Sequence, residues 1–433
     1  MNKRVFKTAL SFVLIMVLML QLNSVLLLNS FAVTPGSVSN PTTIPGQWLQ
    51  NSDNTKWWYK HNDNSYTTND WEYINGEWYH FDSSGWMQTG WLQQGSVWYY
   101  LGSNGKMRTG WQQDSNNTYY FYESGQVLGQ MKVGWKQDGN DWYYFNTSGH
   151  MLKSEWLTYQ SNKYYFDSDG KMHTGWLELN GDTYYFIQTG DDKGKMKTGW
   201  KQSGDDWYYF NSDGKMQTGW LDYLGDKYYL NDDGTLQYNT FIVQGKEYII
   251  EDTTGKLLRI ELHIKCFKQR KSMWCWAACA QAIGTYNNPS IIFQGDLAQA
   301  ILGDRNANYP VSHQQAVRAL EIASWDLKTA TLIENTDDNY ISLDTIKAEI
   351  DNNRPIEMLV RWGISGGGHA VVVAGYKYNT GMIMVYDPGY NQSSDISYAK
   401  YSYLNFSPLN NGVNLLTGTA TCTHIITYET VGE

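Results

Sequence analysis

A tandem repeat dominates this sequence and limits what it can fold into. From Gly90 the chain restarts with Gly-Trp at Trp91, Trp111, Trp135, Trp176, Trp200 and Trp220. Trp71 and Trp156 hold the same place after Asp70 and Glu155. Successive units begin 20, 24, 21, 20, 24 and 20 residues apart between Gly90 and Gly219. Each unit then carries an aromatic run, such as Trp98-Tyr99-Tyr100, Trp142-Tyr143-Tyr144-Phe145 or Trp207-Tyr208-Tyr209-Phe210. Most close with Gly and Lys-Met, as in Gly214-Lys215-Met216. The pattern is looser before Gly90, at Trp48 to Tyr59 and Trp71 to Phe81, and after Tyr238 it decays into Phe241 and Tyr248-Ile249-Ile250.

A run of three or four aromatic residues favours a strand, and Asn-Ser-Asp-Gly or Ser-Asn-Gly is turn chemistry. Each unit therefore reads as a hairpin too small to bury its own apolar face. Stacked neighbours bury it for one another, which predicts an all-β solenoid of hairpins. No Pro occurs between Pro45 and Pro289, which suits strands that all need their ladder hydrogen bonds. Alternation along a strand sends Tyr143 and Phe145 to one face and Trp142 and Tyr144 to the other. Of 20 Trp, 16 lie before residue 261, more than such thin units can bury. Aromatic walls around a small space suit a quaternary ammonium, through cation–π attraction of ~1 to 2 kcal/mol per good contact.

The array resembles the cell-wall-binding repeats of Gram-positive surface proteins, the choline-binding type, over residues 46–260. The resemblance implies cages built from the Gly-Trp indole, the Trp of the run and a Tyr of the next unit. Carried across, these are Trp91 and Trp98 with Tyr120, Trp135 and Trp142 with Tyr165, and Trp200 and Trp207 with Tyr229. The run's Trp is replaced at Thr118, Lys163, Thr183 and Lys227, where weak binding or none is expected. Related repeats of clostridial toxins lack that Trp and bind carbohydrate, so a glycan is the alternative ligand. Weak sites repeated along one array gain avidity through effective concentration.

Lys3, Arg4 and Lys7 precede an apolar run from Ala9 to Leu28, then small residues at Ser30 and Ala32. Residues 1–32 therefore read as a secretory signal peptide and 33–45 as a linker. No later stretch reaches the ~18 apolar residues of a membrane span. The formal charge of −10 argues against nucleic acid as a partner. The expected partners are a peptide or protein substrate and a wall polymer bearing choline or glycan. The expected location is secreted and attached to the cell surface.

Composition changes after residue 260, and residues 261–433 carry all four Cys. Helical patterns occur at Cys275 to Tyr286, Ser290 to Leu302, Ser312 to Ala323 and Ser342 to Asn352. Strands are expected at Ile356 to Trp362, His369 to Tyr378, Met382 to Asp387 and Tyr398 to Leu404. Helices first and an antiparallel sheet afterwards is an α+β order. Cys275 opens a helix, whose N-terminal partial positive charge favours a thiolate. Gln269, six residues upstream, can aim an amide beside the Cys275 N–H as an oxyanion donor. His369 follows Gly366-Gly367-Gly368 and starts a buried strand, and Asp387 ends the next one. A hairpin turning near Lys377 to Thr380 would bring Asp387 beside His369.

Gln269, Cys275-Trp276-Ala277, Gly368-His369-Ala370 and Tyr386-Asp387-Pro388-Gly389 resemble papain-like cysteine peptidases, nearest the secreted avirulence-type and C39-like branches. The resemblance implies Cys275 as nucleophile, His369 as general base and acid, Asp387 as orienter and Gln269 in the oxyanion hole. Asn391 is the alternative orienter, and Met273-Trp274 departs from the papain signature. The chain is thus expected to be multi-domain, a β-hairpin repeat array followed by an α+β papain-like peptidase. No cofactor or metal is expected, since His263, Cys266, Cys275 and Cys279 match no common zinc spacing. Cys279 reads as a packed thiol, and His263, His313 and His424 as structural. Two other readings remain open, a peptidoglycan hydrolase and a non-enzymatic carbohydrate-binding adhesin.

Overall fold

A computed structural model describes residues 34–288, 290, 292–324, 327–334, 341–362, 368–389, 396–401, 406–407 and 420–430. The expected signal peptide and Asn391 lie outside them. The chain divides into two compact units, Met1–Lys197 and Thr198–Glu433.

The first unit is a succession of two-stranded antiparallel hairpins, as the repeat predicts. Gly134–Asp138 pairs with Asp141–Phe145, placing Trp135 opposite Tyr144, and Glu155–Tyr159 pairs with Asn162–Phe166, placing Trp156 opposite Tyr165. The run's last residue is sealed, with Phe121, Phe145, Phe166 and Phe186 each at 0% exposure. Tyr143 and Phe145 face the preceding hairpin, with ring centroids 4.9 and 5.7 Å from Trp111. Tyr144 instead packs on Trp135 of its own hairpin at 5.2 Å. The alternation read from sequence is therefore what stacks one hairpin on the next.

Methionine zips the stack. The N–H of Met131 donates to the Trp98 carbonyl, Met151 to Thr118 and Met172 to Trp142, each reaching into the preceding unit. Met131 also covers Gly149, where a Cβ would lie 2.3 Å from its sulfur. That turn glycine has φ +78°, so both its backbone and its missing side chain are required.

The second unit opens with two more hairpins, Gly199–Ser203 with Asp206–Phe210 and Gly219–Tyr223 with Asp226–Leu230. The next, Phe241–Val243 with Lys246–Ile250, does not stand alone as a two-stranded hairpin. It pairs with Leu257–Leu262, which pairs in turn with Gly368–Lys377, so repeat and catalytic strands share one ten-stranded antiparallel sheet. The expected boundary at 260/261 falls inside the strand Leu257–Leu262. An open strand edge at the last hairpin is covered this way.

Beyond that junction, Gly368–Lys377 pairs with both Ile356–Trp362 and Met382–Tyr386. The ladder continues through Ile396–Tyr401, Phe406–Ser407 and Ala420–Thr430 back to Ile356–Trp362, curling the sheet closed. Leu327–Glu334 adds to the outer edge of Ala420–Thr430. Four helices accompany it among the described residues: Cys275–Asn287, Gln294–Leu302, His313–Ala323 and Leu343–Asp351. Ala277, Ala280 and Ala282 are small enough for the Cys275 helix to lie close on Val371 to Ala374 in one core. At Gly284 a Cβ would meet the Ala323 carbonyl at 2.4 Å, so this helix and His313–Ala323 cross in near backbone contact.

Candidate active site and aromatic sites

Cys275 stands first in its helix, where the leading backbone N–H groups have no partner within the helix. The segment before it is tied down. Trp274 Nε1 donates to the Ala307 carbonyl at 2.7 Å, and the Met273 N–H to Asn308 Oδ1 at 3.1 Å. Buried Gln294 donates to the Lys268 carbonyl and accepts from the Arg270 N–H at 2.8 Å, bracketing Gln269. These ties come from residues far along the chain, so sequence spacing did not reveal them.

His369 sits opposite Val360 at the start of its strand. The hairpin turning after Lys377 brings Asp387 back, and His369 Nε2 meets Asp387 Oδ1 at 2.7 Å. Gly389 N–H donates to the same oxygen at 2.7 Å. Cys275 Sγ receives hydrogen bonds from the His369 side chain and from the Ala370 and Trp276 N–H groups. Since Nε2 is taken by Asp387, the imidazole reaches sulfur through Nδ1.

The electrostatics follow from that geometry. Burial works against the Cys275 thiolate, but the His369 hydrogen bond and charge and the two N–H groups outweigh it and lower the thiol pKa. Burial also disfavours the imidazolium, yet Asp387 and Cys275 together raise His369 to about 10. Asp387 is held below the usual carboxylate range because the His369 hydrogen bond and charge and the Gly389 N–H overcome burial. The resting state is therefore a thiolate–imidazolium pair braced by a carboxylate. Burial pushes Cys266 up to about 11, Cys422 up to about 12 and Cys279 well above its ordinary value. All four cysteines are free thiols.

Gln269 lies beside this group but is differently engaged. Its Nε2 donates to the Lys271 and Ser272 carbonyls at 3.1 and 3.0 Å, and its buried Oε1 has no partner. Cys275 and His369 open into a cavity of about 450 Å³. His313 and His424, expected to be structural, also line it. His263 pairs with Glu247 away from it.

In the hairpins, each expected pair of indoles is brought together. Trp91 and Trp98 lie 6.2 Å apart, Trp135 and Trp142 6.1 Å, and Trp200 and Trp207 6.4 Å. The next-unit tyrosine against the Gly-Trp indole is Tyr119, Tyr164 or Tyr228, at 4.9 to 5.1 Å. Tyr120, Tyr165 and Tyr229 point to the other face and pack on Trp111, Trp156 and Trp220 of their own hairpins. Tyr159 and Tyr223 supply a further aromatic wall, 5.9 Å from Trp135 and 6.0 Å from Trp200. Both are the fifth residue of a first strand, a position held by Asp114, Asp138 and Leu179 in other units. Reading that column across the repeats would have found them. Where Thr118 replaces the run's Trp, the chain's own Lys136 ammonium lies 4.0 Å over the Tyr120 ring and 5.5 Å from Trp111.

Residues 258–405 match the family model for the papain-like cysteine protease AvrRpt2. The C-terminal region is a papain-like cysteine peptidase domain. Residues 68–109 and 197–241 match a choline-binding repeat, and 109–126, 133–151, 154–172 and 174–190 a cell wall binding repeat. The peptidase domain is thus joined to choline-binding-type, cell-wall-binding repeats. Among solved structures, CbpJ from Streptococcus pneumoniae TIGR4 is similar at 27% identity, covering 49% of this chain and 94% of that one, with a TM-score of 0.34. Choline binding protein F from Streptococcus pneumoniae, solved with a peptidoglycan analogue, is 27% identical over 50% of this chain and 94% of its own (TM-score 0.32). The modular autolysin LytC from Streptococcus pneumoniae is 25% identical over 53% and 54% (TM-score 0.36). None of the curated proteins matches the chain. Among the described residues no helix is long and apolar enough to cross a membrane.

Proposed function

We propose that this protein is an exported cysteine peptidase, held on a wall polymer by its repeats, that cleaves peptide bonds through a thioester on Cys275. The observation that carries this reading is the hydrogen-bonded row of Cys275, His369 and Asp387 at the mouth of an open cleft. The Cys275 thiolate attacks the scissile carbonyl, forming a C–S bond and pushing the carbonyl electrons onto oxygen. His369 gives its Nδ1 proton to the leaving amine as the C–N bond breaks. The neutral imidazole then takes a proton from water, whose oxygen displaces sulfur and releases the acid. Asp387 holds the ring and stabilises its positive charge throughout.

The backbone N–H groups at the start of the Cys275 helix face the developing oxyanion. Gln269 joins them by exchanging one of its carbonyl partners for the substrate oxygen. In the repeats, the indole pairs at Trp135 and Trp200, walled by Tyr159 and Tyr223, take the trimethylammonium of choline. The basic start and apolar run of the leader support export.

The peptidase reading is tested with Cys275→Ser, which should abolish casein digestion and labelling by a thiol-directed epoxide. Cys279→Ser should retain both. Labelling that survives Cys275→Ser overturns the assignment. Clearing of purified cell walls with casein left intact would replace peptidase by wall hydrolase. Retention on a trimethylammonium resin and elution by free choline test the ligand, and retention on dextran that choline does not reverse would move it to a glycan.

A further inference from the structure

The cleft is lined by more than the nucleophile and its base, and part of that lining carries chemistry that the peptide-cleaving step does not use. His313 opens the helix His313–Ala323, and His424 lies on the strand Ala420–Thr430. Their ring centroids are 3.8 Å apart with planes at 52°. His424 Nε2 faces Glu334 Oε1 at 3.4 Å, whereas its Nδ1 is buried without a partner. Arg361 borders the same cavity, and among the described residues no Asp or Glu lines it. The helix adds its positive end at this wall, beginning at Ser312, which caps it through the Gln315 N–H. The same lining includes Val311, Ala316 and Leu359, which are apolar.

We infer that this part of the cleft lining is a subsite for a carboxylate side chain, Asp or Glu, of the peptide substrate. The inference rests on the peptidase reading and names the substrate class of that same cleft. The stem of such a side chain lies along Val311 and Leu359, and its carboxylate meets the histidine pair and Arg361. Glu334 occupies the Nε2 side of His424, which leaves its buried Nδ1 without a partner. His313 takes up a proton most readily when a carboxylate is present, because its surroundings otherwise disfavour its charge. Burial and His424 both hold the His313 pKa down, with Glu334 opposing them. The charged and titratable groups around the pair are Glu334 on the strand Leu327–Glu334, Arg361 on Ile356–Trp362, His369 on Gly368–Lys377 and Cys275 on its helix. Selectivity for acidic peptides should therefore weaken as pH rises, over a range below the ordinary histidine value.

The test uses the full chain and a peptide set in which each position around the cut carries Glu, Gln or Lys. At one position Glu should exceed Gln by about tenfold in kcat/KM near pH ~5, the worth of a charge-assisted hydrogen bond. That ratio should shrink towards pH ~8, and Lys should be cut least. His313→Gln and Arg361→Gln should each reduce the Glu preference, and His313→Gln should flatten its pH dependence. Both should leave cleavage of the Gln peptide and the rate of epoxide labelling at Cys275 unchanged. Equal cutting of Glu and Gln peptides by an enzyme that labels normally overturns the subsite alone. A Glu preference unaltered by His313→Gln overturns it too. An enzyme that neither labels nor cuts any peptide overturns the peptidase reading and the subsite with it.

Discussion

The hairpin array and the peptidase domain place functional side chains by opposite strategies. In the array one local rule is copied, so a Gly-Trp and an aromatic run 20 to 24 residues apart build the same pair of indoles again and again. In the peptidase domain a single candidate site draws Gln269, Cys275, His369 and Asp387 from two loops, a helix and a strand, with the first and last 118 positions apart. The difference teaches how each should fail. On the proposed function, losing one copy in the array should remove one of several weak contacts, whereas losing one member of the row should remove the reaction.

The sharpest way to break that contrast is at Cys275. Cys275→Ser should lower kcat/KM on a peptide substrate by at least about 10⁴-fold while thermal melting stays unchanged, as in enzymes whose nucleophile acts as part of a unit. The reaction's pH profile sharpens the same point. Thiolate forms as pH rises past the lowered Cys275 value, and the imidazolium is lost as pH passes about 10, so activity should hold across neutral pH and fall on an alkaline limb near that value. Iodoacetamide at neutral pH should modify Cys275 before the others, with Cys266, Cys279 and Cys422 kept protonated by burial.

In the array the largest single effect should come from packing. Phe145→Ala removes a ring with 0% exposure, a change that costs about 3–5 kcal/mol in a well-packed core, read as a lowered midpoint in denaturant. Trp142→Ala or Tyr159→Ala should cost ~1 to 2 kcal/mol of ligand binding, read by calorimetry with choline, and only at that site. Resin retention of the whole chain should fall far less, because the other sites persist. Lys136→Leu should be the mildest, within about 1 kcal/mol, since Leu157, Leu177 and Leu221 already hold that place in other units.

The contrast also explains what could be read before any coordinates. Strand pairing in the hairpins was legible because period two and period 20 to 24 are both visible in the chain. The side of the next hairpin was not. Tyr119 and Tyr120 differ by one residue and point to opposite faces, so choosing the tyrosine that meets Trp91 needs the stacking as well as the strand. In the peptidase, Cys275, His369 and Asp387 were readable because each sits where a helix or strand begins or ends. His313 and His424 were not, since a helix start and a strand 111 residues apart meet only through the curled sheet. Leu327–Glu334 was missed for the same reason, since it pairs with Ala420–Thr430, a strand far along the chain.

One junction has a consequence for how the enzyme meets its substrate. The last decayed hairpin is hydrogen-bonded through Leu257–Leu262 into the strand that begins with His369, and Tyr378 Oη at the turn of that strand donates to Asp222 of an earlier hairpin at 3.4 Å. A Gly/Ser tether would let a catalytic head sweep a volume set by its contour length. Here the neighbouring hairpins and the catalytic strand are joined by strand pairing and a side-chain contact, with no such tether between them. On the proposed function, the cleft would then work close to wherever the adjoining repeats bind, and substrates would have to diffuse or be threaded to it.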